Sequence, residues 1–283
     1  MTVTIPTTKP LNAHAACETC PMNRHLERLG VKMDNWDYVI ALAGNPNTGK
    51  STVFNALTGL RQHTGNWPGK TVARAEGGFQ YGDERYKLVD LPGTYSLLAA
   101  SVDEEIARDF ILFGQPDVTV IVVDATRLER NLNLVLQVLE ITDKAVVALN
   151  LMDEAERHGL QVDPRRLARD LGVPIVPMVA RRNEGVKELL QVVHDVAVGE
   201  IQSRPHRIRT THHQALDRAV DQLVTQIEAE FPGLPNVRWV ALRLLDDDAQ
   251  IEQAIRDGSL GDLSRDGSDT AIPDNLLIAE VSA

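Results

Sequence analysis

The sequence predicts an α/β fold, in which a mostly parallel β-sheet is covered by helices on both faces and is followed by a small all-helical subdomain. Three observations predict this fold. Short apolar runs alternate with amphipathic segments between residues 37 and 199, as expected for strands joined by crossover helices. A phosphate-binding pattern lies at the first strand-to-helix junction. After residue 199 the apolar residues keep helical spacing only.

The first junction is residues 44–51, GNPNTGKS, which match the pattern G-x-x-x-x-G-K-[S/T] without a mismatch. Residues 38–43 before them predict a buried strand, and residues 52–60 after them predict a helix. The loop's backbone N–H groups and the positive end of the helix would converge on one anion. Lys50 is expected to reach the β- and γ-phosphates, and Ser51 to bind Mg²⁺. Such short patterns also arise by chance in loops, but the flanking strand and helix argue against chance here.

The next segment is a loop followed by a hairpin. Residues 61–70 are rich in Gly, Asn and Pro, which predicts an ordered but mobile loop. Residues 71–80 and 85–89 flank the turn residues 81–83, which predicts an antiparallel pair of strands.

The second hairpin strand runs into Asp90-Leu91-Pro92-Gly93. In a D-x-x-G element the carboxylate holds Mg²⁺ through water and the glycine amide senses the γ-phosphate. A match of four residues to this element is weak evidence alone, but its position forty residues after Lys50 strengthens the assignment.

The remaining elements alternate regularly. Strands are predicted at residues 118–124, 145–149 and 174–178, and helices at residues 103–113, 131–142, 164–171, 186–198, 216–227, 237–245 and 249–255. Asp163 is the expected N-cap of one helix, with Pro164 in its first turn. Nucleotide is expected at the carboxyl ends of the strands. The predicted domains are a flexible extension (1–36), a nucleotide-binding domain (37–199) and a helical subdomain (200–283).

Composition limits the class of protein. The chain has 283 residues and a net charge of −11, which disfavours a general nucleic-acid or anionic-membrane surface. No apolar run reaches the roughly 18 residues of a membrane span, and residues 1–16 lack the apolar core of a signal peptide. A cytosolic chain is the simplest expectation.

The N-terminal extension carries Cys17 and Cys20 in a C-x-x-C pair, with His14 and His25 nearby. Such a pair can bind a soft metal or cycle as a dithiol, but a closed zinc site needs four ligands. Two exposed thiols on a mobile tail are the alternative interpretation. Farther along the chain, the two consecutive histidines at residues 212–213 are expected on the surface.

Base recognition is predicted at Asn150-Leu151-Met152-Asp153, which follows a strand. In an N-K-x-D element the carboxylate accepts hydrogen bonds from the ring N1–H and exocyclic amine of guanine, a donor pair that adenine lacks. Leu151 replaces the usual Lys, so we expect modest affinity and quick release. A third base-contacting turn is expected at residues 179–181, where the Ala180 amide would meet guanine O6. An ATPase remains open only if Asp153 is misassigned.

Four segments together resemble the N-terminal G domain of the ferrous iron transport protein FeoB family. They are GNPNTGKS, GNWPGKTV at residues 65–72, DLPG followed by Thr94-Tyr95-Ser96-Leu97, and NLMDEAE at residues 150–156. The match is close over about residues 37–190. It implies a P-loop GTPase that couples GTP hydrolysis to a membrane-spanning, iron-permeating domain beyond residue 283. The expected location is the cytoplasmic side of a bacterial inner membrane.

The resemblance also implies roles for single residues. Thr71 matches the switch threonine that joins Ser51 and Asp90 around Mg²⁺, and Asn47 matches an asparagine that helps to bind an activating K⁺. The remaining K⁺ ligands would be backbone carbonyls near Asn66 and Trp67; for Asn47 a loop-capping side chain is the alternative. Thr94 lies where many GTPases have a water-orienting Gln, so slow intrinsic hydrolysis is expected.

The expected catalytic residues are Lys50, Asn47, Thr71 and Gly93. The expected nucleotide-binding residues are Gly44, Asn45, Pro46, Asn47, Thr48, Gly49, Lys50, Ser51, Thr52, Gly69, Lys70, Thr71, Val72, Ala73, Asp90, Leu91, Pro92, Gly93, Asn150, Leu151, Met152, Asp153, Val179, Ala180 and Arg181.

Two other functions stay open at this point. One is a nucleotide sensor with negligible turnover, and the other is a ribosome-assembly GTPase, although no basic RNA-binding appendage follows residue 200. The expected partners are GTP or GDP and the membrane domain, with no nucleic acid; association between copies of the chain stays open.

Overall fold

The computed structural model describes residues 26–27, 29–32, 35–59, 62–98, 101–206, 214–234, 236–256, 258 and 260. The chain divides into two compact units between residues 208 and 209. The Cys17/Cys20 pair, the neighbouring His14 and His25, residues 212–213 and the C-terminal segment from residue 261 lie outside the described residues.

The first unit contains a sheet of seven strands in its described part. These are β1 (Tyr38–Gly44), β2 (Gln62–Asn66), β3 (Ala73–Tyr81), β4 (Glu84–Asp90), β5 (Val118–Asp124), β6 (Ala145–Asn150) and β7 (Ile175–Pro177). Its helices are α1 (Lys50–Thr58), α2 (Val102–Leu112), α3 (Leu128–Ile141), α4 (Met152–Arg157), α5 (Pro164–Leu171) and α6 (Val186–Ala197), with 3₁₀ turns at Ala125–Arg127 and Ala180–Arg182.

The order of the strands places β1 at the centre of the seven-stranded sheet, with a parallel neighbour on each side. The order is β2-β3-β4-β1-β5-β6-β7, and β1 pairs in parallel with both β4 and β5. The strands β2–β4 lie on one side of β1 and the later strands β5–β7 lie on the other side. The order of the strands therefore reverses at β1, which opens a crevice at its carboxyl end. The phosphate-binding pattern begins at the last residue of β1.

Both faces of the sheet are covered, as predicted. Ile40 and Leu42 of β1 belong to a buried cluster with Phe54 of α1 and Leu189 of α6. The alternate residues of β1 are also fully buried, and α2 and α3 contribute buried Phe110 and other apolar side chains. All seven residues of β1 are buried, and each large apolar side chain contributes about 1.5–3 kcal/mol through burial.

Two elements differ from the sequence prediction. Residues 62–66, predicted as loop, form the edge strand β2, which pairs antiparallel with residues 73–77. Residues 63–66 are exposed, so this strand shows no apolar alternation and is held by its backbone pairing. Helix α4 was not predicted, because six residues are too few to show a helical period.

The end of the predicted flexible extension is packed. Leu26 and Val31 are fully buried, and the carbonyl oxygens of Leu29 and Lys32 accept hydrogen bonds from Arg74 Nη1 (2.9 Å) and Lys87 Nζ (2.6 Å). Leu26–Glu27 are helical.

The segment after α6 also belongs to the first unit. The backbone N–H groups of Arg204 and His206 donate to the carbonyl oxygens of Gly172 and Leu171. This unit therefore extends past residue 199, where the sequence suggested a boundary.

The second unit contains α7 (Gln214–Glu230), α8 (Val237–Leu245) and α9 (Ala249–Arg256) in its described part. Its core includes buried Val220, Ile227, Val240 and Ile251. Arg238 of α8 forms ion pairs with acidic residues of α7. None of the helices in the described ranges has the length and apolar character that a membrane crossing requires.

Gly185, which precedes α6, offers a test of how closely the start of this helix packs against β7. Its φ is +81°, and an added Cβ would lie 2.5 Å from the carbonyl oxygen of Pro177. Gly199 has almost the same φ, +80°, but an added Cβ would meet nothing within 4 Å. We expect Gly199→Ala to cost about 1 kcal/mol of unfolding free energy from backbone strain, and Gly185→Ala about 3 kcal/mol because overpacking adds to it.

Urea unfolding followed by intrinsic fluorescence measures both variants. Equal losses of stability in the two variants would contradict the close packing of Gly185 against β7.

Candidate nucleotide-binding site

The phosphate loop between β1 and α1 is held in one shape by its own contacts. Thr48 Oγ1 donates a hydrogen bond to the carbonyl oxygen of Asn45 at 3.0 Å. Gly49 has a φ of +82°, and an added Cβ would lie 2.4 Å from Asn150 Nδ2. A side chain at this position would therefore be both strained and obstructed, which explains the second glycine of the pattern.

Asn47 is in the left-handed region, with a φ of +66°, and its side chain is exposed. Asparagine tolerates this conformation better than most residues. Within the described residues its side-chain amide forms no hydrogen bond, so it does not cap its own loop.

Lys50 ties the start of α1 to the end of β4. Its Nζ forms an ion pair with Asp90 Oδ1 and donates to the carbonyl oxygen of Leu91 at 2.7 Å. Burial raises the pKa of Asp90, and the charge of Lys50 opposes that rise. A phosphate group bound at the loop would compete with Asp90 for the lysine.

The DLPG turn lies against the phosphate loop. The Thr94 amide donates to the carbonyl oxygen of Gly44 at 3.3 Å, and a Cβ added at Gly93 would lie 3.5 Å from Pro46. Thr94 Oγ1 donates to the carbonyl oxygen of Ser96 at 2.6 Å and is buried. The Thr94 hydroxyl therefore donates its hydrogen bond within its own turn, which leaves it without a free donor to orient a water.

The segment predicted to carry the switch threonine forms a tight turn after β2. The Trp67 amide donates to the carbonyl oxygen of Val72, and the Trp67 indole is buried with its ring 5.6 Å from that of Phe110. Lys70 Nζ contacts both carboxylate oxygens of Glu105, at 3.0 and 3.1 Å. Thr71 is exposed, and no hydrogen bond among the described residues joins it to Ser51 or Asp90.

Asn150 connects the phosphate loop with the base-recognition turns. It is 1% exposed, its Nδ2 donates to the carbonyl oxygen of Thr48 at 3.0 Å, and its Oδ1 accepts from the Ala180 amide at 3.0 Å. The sequence assigned that amide to guanine O6, whereas the structure shows it donating to Asn150. If the Ala180 amide also donated to a base, its N–H group would have to be shared between the base and the Asn150 side chain.

Asp153 lies in the first turn of α4, beside the turn that holds Arg181. Arg181 Nη2 forms an ion pair with Asp153 Oδ2, and its Nη1 donates to Glu154 Oε1 at 3.2 Å. The hydrogen bond and charge of Arg181 lower the pKa of Asp153, so the carboxyl group stays ionised at neutral pH. Asp153 Oδ1 is buried and has no hydrogen-bond partner within the described residues.

Leu151, which precedes this helix, has a φ of +63°. This is an uncommon conformation for a bulky residue. Its side chain lines a cavity of about 350 Å³ together with Asn45 and Asn47, so this cavity reaches the phosphate loop. A second cavity, of about 400 Å³, is lined by Asp153 and Arg182.

The predicted ligands suit a hard cation. Hydroxyl and carboxylate oxygens from Ser51, Thr71 and Asp90 are the donor types that Mg²⁺ prefers. The described residues contain no cluster of three or more His, Cys, Asp or Glu side chains that could hold a metal. A cation here would therefore depend on these few oxygens and on phosphate.

Sequence reasoning missed Glu105 and Glu154, the partners of Lys70 and Arg181. Glu105 is distant in sequence from its partner, so no local pattern indicates the pair. The spacing of Glu154 and Arg157, an i,i+3 ion pair, could have indicated the short helix α4.

Comparison with known proteins gives consistent results. A family model described as ferrous iron transport protein B matches residues 38–193. The Fe(2+) transporter FeoB of Salmonella typhimurium is 43% identical over 214 residues, which are 74% of this chain and 27% of the relative. The chain thus spans about a quarter of the length of the curated relatives it matches.

Solved structures agree with this result. The cytosolic domain of L. pneumophila FeoB is 35% identical, with a TM-score of 0.70 over 80% of this chain and 89% of that one. The cytosolic domain of T. maritima FeoB in GDP form I is 33% identical, with a TM-score of 0.67 over 84% of this chain and 88% of that one. The chain therefore belongs to the ferrous iron transport protein B (FeoB) family and contains its N-terminal G domain.

Proposed function

We propose that this chain binds GTP with Mg²⁺ and hydrolyses it to GDP and phosphate, at a slow intrinsic rate that K⁺ stimulates. Its nucleotide state would be passed to the iron-permeating membrane part of a bacterial ferrous iron transporter, from the cytoplasmic side of the inner membrane. The observation that carries the proposal is the position of Asn150, which joins the phosphate loop to the turns that flank Asp153. Family membership weighs against the ribosome-assembly alternative.

Guanine recognition is assigned to Asp153. Its two carboxylate oxygens can accept from the N1–H and the exocyclic amine of guanine, whereas adenine offers no such donor pair. Asp153 Oδ1 supports this role because a buried carboxylate oxygen without a donor is unfavourable until a ligand supplies one. The structures of T. maritima FeoB in GDP forms agree with a guanine nucleotide.

Phosphate binding is assigned to the loop amides and Lys50. Lys50 would exchange its contact with Asp90 for the β- and γ-phosphate oxygens, and Asp90 would then be free to bind a metal-bound water. The hydroxyl groups of Ser51 and Thr71 would complete the Mg²⁺ site, with the Gly93 amide near the γ-phosphate. Bound Mg²⁺ neutralises charge on the phosphates. For Thr71 this requires a shift of its exposed turn.

Potassium binding is assigned to Asn47. Asn47 is exposed, and its side-chain amide forms no hydrogen bond within the described residues, which favours ligand binding over loop capping. A monovalent cation held there would supply positive charge close to the β–γ bridge. Since the Thr94 hydroxyl is engaged by Ser96, slow turnover without the cation is expected; the same observation is compatible with a nucleotide sensor.

The first test compares GTP turnover with Mg²⁺ in K⁺ and in Na⁺ at equal ionic strength. We expect K⁺ to raise the wild-type rate by at least about tenfold and to leave Asn47→Ala near its Na⁺ rate. Asn47→Gly is the matched control, because glycine keeps the left-handed backbone without strain and removes the same amide.

Loss of stimulation in both variants would assign the effect to the amide. Unchanged stimulation in either variant would contradict the K⁺ role of Asn47, and negligible wild-type turnover in both salts would favour the sensor.

A second test changes the base specificity through Asp153→Asn. The amide presents a donor where guanine also presents one, so we expect GTP affinity to fall about a hundredfold, given the strength of hydrogen bonds to charged groups. Xanthosine triphosphate has a carbonyl in place of the amine and should bind the variant better than the wild type. Competition against a fluorescent nucleotide measures both affinities, and unchanged GTP binding would show that Asp153 does not contact the base.

A further inference from the structure

Arg181 occupies the carboxylate that is expected to bind guanine. Its guanidinium group bridges two acids, with Nη2 on Asp153 Oδ2 and Nη1 on Glu154 Oε1. Two other arginines lie farther from the same oxygen, Arg182 Nη2 at 3.5 Å and Arg157 Nη2 at 3.7 Å. Among the three, Arg181 alone forms a hydrogen bond to the carboxylate of Asp153 within the described residues, whereas Arg157 Nε donates to the backbone carbonyl oxygen of Asp153 at 3.2 Å.

The two carboxylate oxygens of Asp153 differ in their hydrogen bonding. Oδ2 accepts from Arg181, whereas Oδ1 is buried without a donor. Guanine carries two adjacent donors and needs both oxygens for the full pair of hydrogen bonds. One of its donors can therefore reach an oxygen that lacks a partner, while the other must replace Arg181.

Glu154 gives the displaced arginine another partner. It already contacts Arg181 at 3.2 Å and lies next to Asp153 on the first turn of α4. Arg181 is 45% exposed, so its side chain has room to move toward Glu154. The exchange would need only a shift of the guanidinium group, since one of its nitrogens already contacts Glu154.

We propose that Arg181 sets the affinity for guanine nucleotides by competing with the base for Asp153, and that Glu154 accepts Arg181 when the base binds. This inference rests on the proposed guanine-nucleotide function. It makes Arg181 a built-in competitor whose return to Asp153 accelerates nucleotide release. Quick release was expected from Leu151 alone, which lacks the lysine side chain that packs on the base; Arg181 supplies a second and independent cause.

The test measures dissociation of a fluorescent GDP analogue by stopped flow, together with its equilibrium affinity, in the whole chain. For Arg181→Ala we expect release to slow and affinity to rise by about threefold, the size typical of a partly exposed ion pair. Arg182→Ala should have a smaller effect because its guanidinium group lies farther from Asp153. Arg166→Ala removes the same charge from an exposed pair with Asp170 on α5 and should leave both values unchanged.

A double-mutant cycle separates competition from a general loss of charge. In the wild-type background Glu154→Gln removes the alternative partner of Arg181, so Arg181 stays on Asp153 and GDP affinity falls by about twofold. In the Arg181→Ala background the same substitution should have no effect, because the competitor is gone.

With the wild type binding GDP, unchanged release in Arg181→Ala would overturn this inference alone. Faster release would also overturn it and would indicate that Arg181 packs on the base. Equal effects of Glu154→Gln in both backgrounds would overturn the role of Glu154. If neither the wild type nor any variant bound a guanine nucleotide while circular dichroism showed native folding, the proposed function would fail as well.

Discussion

The geometry of the site depends on one buried side-chain amide, that of Asn150. It donates to the phosphate loop and accepts from the turn after β7, so it fixes the distance between the place for phosphate and the place for a base. Both of its polar atoms are satisfied in a buried environment, where each orphaned group would cost about 1–3 kcal/mol. Gly49 leaves the space that this amide needs. The shape of the phosphate loop and the position of Asp153 thus share a single support.

Charged groups around this support are paired with one another. Lys50 pairs with Asp90, Arg181 with Asp153, and Lys70 with Glu105. A buried charge without a partner is costly, so each pair avoids that cost when no ligand is present. Under the proposed function, nucleotide binding would exchange the partners of Lys50 and Arg181, and its net free energy would be smaller than the sum of the new contacts. Affinity in such a site is set by the groups that the ligand must displace as well as by those it meets.

Much of the fold could be predicted from the sequence, because β1, β5 and β6 are continuous apolar runs and the glycine-bounded loop follows the first of them. The edge strand β2 could not, since its exposed residues carry no apolar period and its pairing is made by backbone alone. Motifs located Asn150, Asp153 and Ala180, but not the bond from the Ala180 amide to Asn150. The contact between Arg181 and Asp153 was also hidden, because it joins residues 28 positions apart through side-chain geometry that no local pattern encodes.

The central place of β1 has a consequence for the order of folding. Tyr38 pairs with Tyr86, and Ile40 with Val118, so the first strand of the sheet receives its neighbours only from much later parts of the chain. Such non-local pairing is slow, because loop closure precedes the contacts that reward it. During synthesis the seven apolar or small residues of β1 leave the ribosome well before β5 exists. In the nascent chain β1 is therefore unpaired until β4 has emerged at about residue 90, and one of its edges stays unpaired and aggregation-prone until about residue 124 has emerged.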